Sequence, residues 1–256
     1  MDDKARARAG LPRDTCATDT QWIVNFANYV WTAKQIPGVG EATVLDVGCG
    51  PGYGADHLAG TARRVVAVDL LDTVVTRARD VYKRPNLDFF VMRAERLGFA
   101  PGTFDAVVSH EALMYVAPDD ECIAGLRRIL RPGGIAIVSV PWNAEHREGS
   151  RRADYRREYS WASFRALLAR HFAEVACHWR TLGGALSDSE GTLRDVRRHV
   201  PGGLRRLLPR RLRHLAASVL LRRRGLTPLD ALSVEDVVYR AGVEPGLSML
   251  AVCRAR

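Results

Sequence analysis

Five short apolar runs recur along the first 140 residues at intervals of roughly twenty positions: TVLDV (43–47), RVVAVDL (64–70), LDFFVM (87–92), FDAVVS (104–109) and GIAIVSV (134–140). None alternates cleanly between apolar and polar, which predicts strands buried on both faces of a parallel sheet. The intervals between them predict helices over 53–59, 71–82 and 119–130, the last stopped by Pro132, Gly133 and Gly134. Strict strand–helix alternation implies right-handed crossovers and an open, doubly wound α/β sheet.

Beyond the fifth run the pattern loosens. Residues 142–160 read as a polar connection, after which Ser160 is placed to cap a helix over 161–171, followed by a strand near 172–179. Residues 183–245 interrupt the sheet, and LSMLAVCR (247–254) reads as its last strand. Inside the interruption Leu204, Leu207, Leu208, Leu212, Leu215 and Val219 fall mostly at helical spacing with arginines between them. That pattern predicts amphipathic basic helices with Pro209 at a break or a start. A further helix is predicted over 15–35, carrying Trp22, Phe26, Tyr29 and Val30 on one side.

Charge changes this picture in one place. The chain of 256 residues carries a formal +9, yet the stretch 194–224 alone holds eleven arginines against Asp195, so everything else sums to about −1. The basicity is local: a solvated face, a phosphate-binding surface or a membrane-surface patch. The charge-free stretches 20–33 and 132–144 fall short of the ~18–20 apolar residues a bilayer span needs. MDDKARARAG at the N-terminus lacks the apolar core of a secretory signal. The five cysteines (Cys16, Cys49, Cys122, Cys177 and Cys253) are odd in number, dispersed and without a CxxC pair, which argues against a disulfide framework and against a metal site. The expected setting is a reducing cytoplasm.

In an open α/β sheet the ligand lies beyond the carboxyl ends of the strands, beside strand one. There the sequence reads DVGCGPGYG, 46–54. Gly48, Gly50 and Gly52 permit a tight turn and a close approach of backbone to ligand. Asp46, two residues before the first glycine, repels a pyrophosphate and favours an ammonium group. Asp69, at the end of the second run, is placed to accept hydrogen bonds from both hydroxyls of a ribose. A ribose, no phosphate and a cationic amino-acid end describe S-adenosylmethionine.

VLDVGCGPGYG, VVAVDL, FDAVVSHEALMYV and LRRILRPGGIAIVSVP, in this order and spacing, resemble the motifs of the class I S-adenosylmethionine-dependent methyltransferases over about 29–140. Tyr53, REYSWASFRALLARHF and the closing LAVCR are similar to the subgroup that methylates sugars, polysaccharides and natural products. The resemblance implies a Rossmann-like sheet of seven strands, mostly parallel, with N-terminal helices (1–36) as a cover. The methyltransferase domain would run over 37–256, with 183–245 a helical insertion before the last strand and a candidate lid. It further implies that Gly48, Gly50 and Gly52 border the methionine part, with Asp46 acting through the loop or a water. Asp69 would hold the ribose, Leu70 would pack on adenine, the Ala94 amide would meet the ring, and Tyr29 and Ser109 would complete the cofactor contacts. Arg93 stands where the family commonly has Asp, and Met114-Tyr115 where it has a Glu-His pair, so roles tied to those residues do not transfer.

Methyl transfer is an in-line displacement that rests mainly on alignment and exclusion of water, and a hydroxyl acceptor gains from a base. His110 and Glu111, just past the fourth run, and His146, past the fifth, are the candidates. The alternative for each is a local role: a loop hydrogen bond for His110, a turn cap for Glu111 and solvated loop for His146. The expected acceptor is a small molecule carrying a hydroxyl or amine, such as a sugar-containing metabolite. An RNA acceptor would draw on 194–224, but SHEA stands after the fourth run where a base methyltransferase carries a motif such as Asn-Pro-Pro-Tyr. A lipid-linked acceptor at a membrane surface would draw on the same stretch.

Overall fold

The computed structural model describes residues 19–142, 155–183, 221, 233–242 and 248–255. They form α1 (Asp19–Gln35), β1 (Thr43–Val47), α2 (Tyr53–Ala59), β2 (Arg64–Asp69), α3 (Asp72–Val81), β3 (Leu87–Val91), β4 (Phe104–His110), α4 (Asp119–Ile129), β5 (Leu130–Pro141), α5 (Trp161–Ala169), β6 (Glu174–Leu182), β7 (Val237–Ala241) and β8 (Ser248–Arg254).

The sheet has the order β3-β2-β1-β4-β5-β8-β6-β7. Pairings among β1 to β5 are parallel, whereas β8 runs antiparallel between β5 and β6. The chain builds outward from β1 through β2 and β3, then returns to its other side with β4. This reversal of direction opens a crevice at the carboxyl end of β1. Eight strands replace the expected seven. The extra one, β7, lies inside the stretch 183–245 expected as a helical insertion; five residues, VVYRA, are too short to stand out there. β5 also starts earlier than expected, at Leu130 immediately after α4. Its register against β4 shifts between Phe104 and Ala106, where Gly133 adopts φ +76° and lets the chain bend without ending the strand.

Alternation along the strands sends side chains into two cores. Val44, Val65, Ala67, Ala106, Val108, Ile135 and Ile137 face α2 and α3, together with Tyr29 and Ile36. Leu45, Val66, Val68, Val107, Ala136 and Val138 face α4 and α5, with Leu126, Ile129, Phe164 and Leu168. Ser160 caps α5 as expected: its Oγ accepts from the Ser163 amide at 3.1 Å, and the Ser163 Oγ accepts from the Ser160 amide at 3.0 Å.

The chain divides into two compact units. One holds 28–180 and 239–256, hence most of the sheet; the other holds 16–27 and 181–238. In the second, Trp22 stacks on Phe26 at 5.1 Å and Ile23, Val24 and Ala27 are buried, in line with a core role for that helical stretch. The arginine-rich stretch 194–224, with its expected amphipathic helices, lies outside the described residues apart from Leu221. Among the described residues no helix is long and apolar enough to cross a membrane.

Phe164 is fully buried, so Phe164→Ala is expected to cost about 3–5 kcal/mol of stability through lost burial and the cavity left behind. Ser160→Ala should cost only about 1 kcal/mol by removing the cap. Urea unfolding with an unchanged slope and a larger fall in midpoint for Phe164→Ala checks this ordering.

Candidate functional site

The turn after β1 is built by glycines. Gly48, Gly50 and Gly52 all take positive φ, at +74°, +52° and +88°. A Cβ on Gly48 would stand 2.4 Å from the Ala112 Cβ, and one on Gly52 would stand 2.9 Å from both Ala78 and the Phe89 ring. The Gly48 and Cys49 amides donate to the Val68 carbonyl at 2.8 and 3.0 Å, which ties the turn to β2. Asp69, at the end of β2, accepts from the Gly50 amide (2.9 Å) on one oxygen and from the Leu71 amide (3.1 Å) on the other. Each carboxylate oxygen keeps a further lone pair for a ligand hydroxyl. Leu70 and Leu71 follow at 55% and 56% exposure, an apolar step beside that carboxylate of the kind a flat ring would cover.

Asp46 lies on β1, fully buried. One carboxylate oxygen accepts from the Tyr29 hydroxyl at 3.3 Å; the other has no partner among the described residues. Burial pushes the acid up to about 7, helped by the charge of Asp69 and opposed by the Tyr29 hydrogen bond. A buried carboxylate oxygen left without a donor is costly unless a cation or donor completes it. This donor set fits the ammonium end and the ribose of S-adenosylmethionine.

Tyr29 owes its place to Gly54, because a Cβ there would lie 2.1–2.3 Å from the tyrosine ring atoms. Gly54 is a site residue that sequence reasoning passed over. It lies in the same glycine-rich run, but its requirement comes from a ring contributed by α1, 25 positions away, and not from the turn.

At the carboxyl end of β4 a second polar group gathers. His110 is buried, with Nε2 2.8 Å from the Thr32 hydroxyl, Nδ1 3.1 Å from the Ser139 hydroxyl, and its ring edge-on to Tyr29 at 4.9 Å. Burial, reinforced by the charge of Arg180, holds its pKa down to about 3, so the ring is neutral. Glu111 has the left-handed φ of +52°, unique among the described residues other than glycine. Its amide donates to the Ser139 carbonyl and hydroxyl, and its carboxylate lies 3.4 Å from the Ser139 hydroxyl and 3.7 Å from Arg180. Ser139 and Arg180 escaped the sequence reading, since a serine inside an apolar strand and one arginine among many carry no local signal.

The remaining candidates are spread out. Ser109 is buried on the opposite face of the sheet from His110, as its neighbour in the strand must be. Ala94 is half-buried against the core under α4, and Arg93 pairs with Glu95 at 3.1 Å. His146 lies outside the described residues, as does most of the stretch on which the nucleic-acid, membrane-surface and lid expectations rest.

A cavity of about 130 Å³ opens at the ends of β4 and β5, lined by Met114, Pro141, Trp142, Tyr155, Arg157 and Tyr159 among others. Tyr155 meets Tyr115 edge-on at 5.3 Å, and Arg157 is held by Asp119 at 2.8 Å while lying over the Tyr159 ring.

Residues 45–138 match the methyltransferase domain family. A probable S-adenosylmethionine-dependent methyltransferase of Mycolicibacterium smegmatis is 35% identical over 98 residues, covering 38% of this chain and 37% of that protein. A ubiquinone biosynthesis O-methyltransferase of Thiobacillus denitrificans is 35% identical over 120 residues, covering 46% and 51%. The chain thus matches about half or less of the length of these relatives. Among solved structures, a methyltransferase of Haloferax volcanii in complex with the Trm112 methyltransferase activator superposes with TM-score 0.60 at 22% identity, over 98% of this chain and 96% of that one. A Bacillus halodurans methyltransferase gives 0.57 at 18% identity, over 89% and 98%. The fold is the Rossmann-like methyltransferase fold, and within it residues 45–138 are similar to S-adenosylmethionine-dependent methyltransferases.

Because the pKa of Asp46 is raised on folding, its ionisation costs the ligand-free protein stability, from nothing below pH ~4 to its full amount above pH ~7. Asp46→Asn should therefore melt higher than the parent at pH 8, by roughly 2–4 °C for each kcal/mol relieved, with the difference gone at pH 4. The same variant should bind S-adenosylhomocysteine, which keeps the ammonium group, about tenfold or more weakly at pH 8. Melting curves and calorimetry at the two pH values check both halves, and a less stable variant at pH 8 would reject the assignment.

Proposed function

We propose that this chain transfers a methyl group from S-adenosylmethionine to a ring-borne hydroxyl of a small organic acceptor, in the class of sugar-containing metabolites and natural products. The observation that carries the acceptor reading is the cavity at the ends of β4 and β5. Its volume of about 130 Å³ suits one six-membered ring. Its walls offer aromatic faces for stacking, with Arg157 and Glu158 for hydroxyl groups. An oxygen acceptor accords with relatives named as O-methyltransferases, and an amine acceptor is the alternative that the same cavity admits.

S-adenosylmethionine supplies an electrophilic methyl group on a sulfonium. The rest falls to the chain. Asp46 attracts the ammonium end, with Tyr29 fixing its carboxylate, and Asp69 accepts the ribose hydroxyls. Leu70 and Leu71 lose exposed apolar surface to the adenine. The glycine turn lets backbone close on the methionine part, and the aromatic cavity orients the acceptor ring. Alignment of this kind is worth several kcal/mol of barrier without any covalent step by the protein.

Tritiated methyl donor with a panel of glycosylated and phenolic metabolites is expected to show transfer to a hydroxyl. Tyr155→Ala should raise the acceptor KM about tenfold while S-adenosylhomocysteine affinity holds, since it removes one stacking wall. Asp69→Ala should do the reverse, weakening the cofactor by leaving two ribose hydroxyls unpartnered. Transfer only to amines, or a Tyr155→Ala variant with unaltered acceptor kinetics, would overturn the acceptor reading.

A further inference from the structure

Arg180 is a charged side chain near the end of β6 with only 5% of its surface exposed, two strands removed from β5 and outside every motif of the domain. One guanidinium nitrogen donates to the Ser248 hydroxyl at 2.6 Å, and a second lies 3.7 Å from the Glu111 carboxylate. That same carboxylate oxygen accepts from Ser139, whose hydroxyl also meets the His110 ring. Burying an arginine is costly unless its position serves an ion pair. Holding a glutamate at φ +52° adds backbone strain, and such strain gathers where a side chain must be aimed.

We propose that Arg180 is a positioning residue for methyl transfer, anchoring the Glu111 carboxylate against Ser139 so that Glu111, and not His110, takes the proton of the acceptor hydroxyl. The inference rests on the hydroxyl-acceptor reading above. The acceptor O–H bond breaks and its proton passes to a Glu111 oxygen. The acceptor oxygen bonds to the methyl carbon as the carbon–sulfur bond breaks, its electron pair remaining on sulfur, and the glutamate later returns its proton to water. His110 suits this task poorly: both ring nitrogens are already engaged and its surroundings oppose protonation. The groups facing it are Tyr29 and Thr32 from α1, Ser139 from β5, Arg180 from β6 and the adjoining Glu111.

The test compares the parent chain with Arg180→Met, Arg180→Lys, Glu111→Gln and His110→Gln. With the panel's best hydroxyl acceptor, Glu111→Gln should lower kcat about 100-fold or more and Arg180→Met roughly 10- to 100-fold. Acceptor KM and S-adenosylhomocysteine affinity should hold, with partial recovery in Arg180→Lys. A larger kcat loss in His110→Gln than in Glu111→Gln overturns the proposal. A second measurement needs no acceptor: carbon NMR titration of His110, with the Glu111 amide signal followed alongside. Removing the guanidinium charge should shift the His110 midpoint up by roughly a pH unit and displace the Glu111 signal, and Arg180→Lys should restore both. An unchanged midpoint and an unmoved Glu111 signal in Arg180→Met overturn the proposal whatever the panel returns. A silent panel with both signals shifted counts against the acceptor reading and leaves the anchoring supported.

Discussion

Every residue of β1 is buried, and one of the five is an aspartate. A strand flanked on both sides by parallel partners and covered on both faces has no route for its carboxylate to water. The surrounding structure therefore has to answer Asp46 from within, and much of the site follows from how it does. Tyr29 supplies the one hydrogen bond to that carboxylate among the described residues. Gly54 must lack a side chain to admit the tyrosine ring, and Gly48 must lack one to let the loop around Ala112 approach the turn. The second carboxylate oxygen has no partner among the described residues.

The same face of the sheet carries this polar logic across to its other half. Tyr29 touches the His110 ring edge-on, His110 bridges Thr32 of α1 and Ser139 of β5, and Ser139 bonds the strained Glu111. The sequence-distant strand β6 closes the line with Arg180, which is itself braced by Ser248 of β8. One buried series of contacts thus runs along this face from Asp46 to Arg180, while Met114, Trp142, Tyr155 and Tyr159 of the aromatic cavity pack with the core on the other face.

What was legible in the sequence was whatever repeats locally. β1 to β4, α2 to α5, the Ser160 cap and the glycine turn all follow from short-range pattern, because a buried parallel strand and a capped helix impose their requirements on adjacent residues. β7 was missed since five residues in a charged stretch make no distinct period. Gly54, Thr32, Ser139 and Arg180 were missed for a related reason: each is demanded by a partner far along the chain, as with Thr32 and His110, 78 positions apart. Asp46 and Asp69 were legible because their distances from the glycine turn are fixed by strand geometry.

The two titratable groups at the heart of this face are displaced in opposite senses. Asp46 is raised to about 7 and His110 lowered to about 3, both chiefly by burial. Around pH 5 the unfolded chain therefore carries a carboxylate and an imidazolium at these positions, and the folded, ligand-free chain carries a neutral acid and a neutral imidazole. Folding in that range amounts to an internal proton transfer from histidine to aspartate, with no net exchange with solvent from the pair. Their individual slopes of stability against pH are opposed between about pH 4 and 6.5. Two buried ionisable groups that would each make the fold sensitive to acidity thus work against each other, so a mildly acidic environment bears less on the ligand-free protein than either group alone would imply.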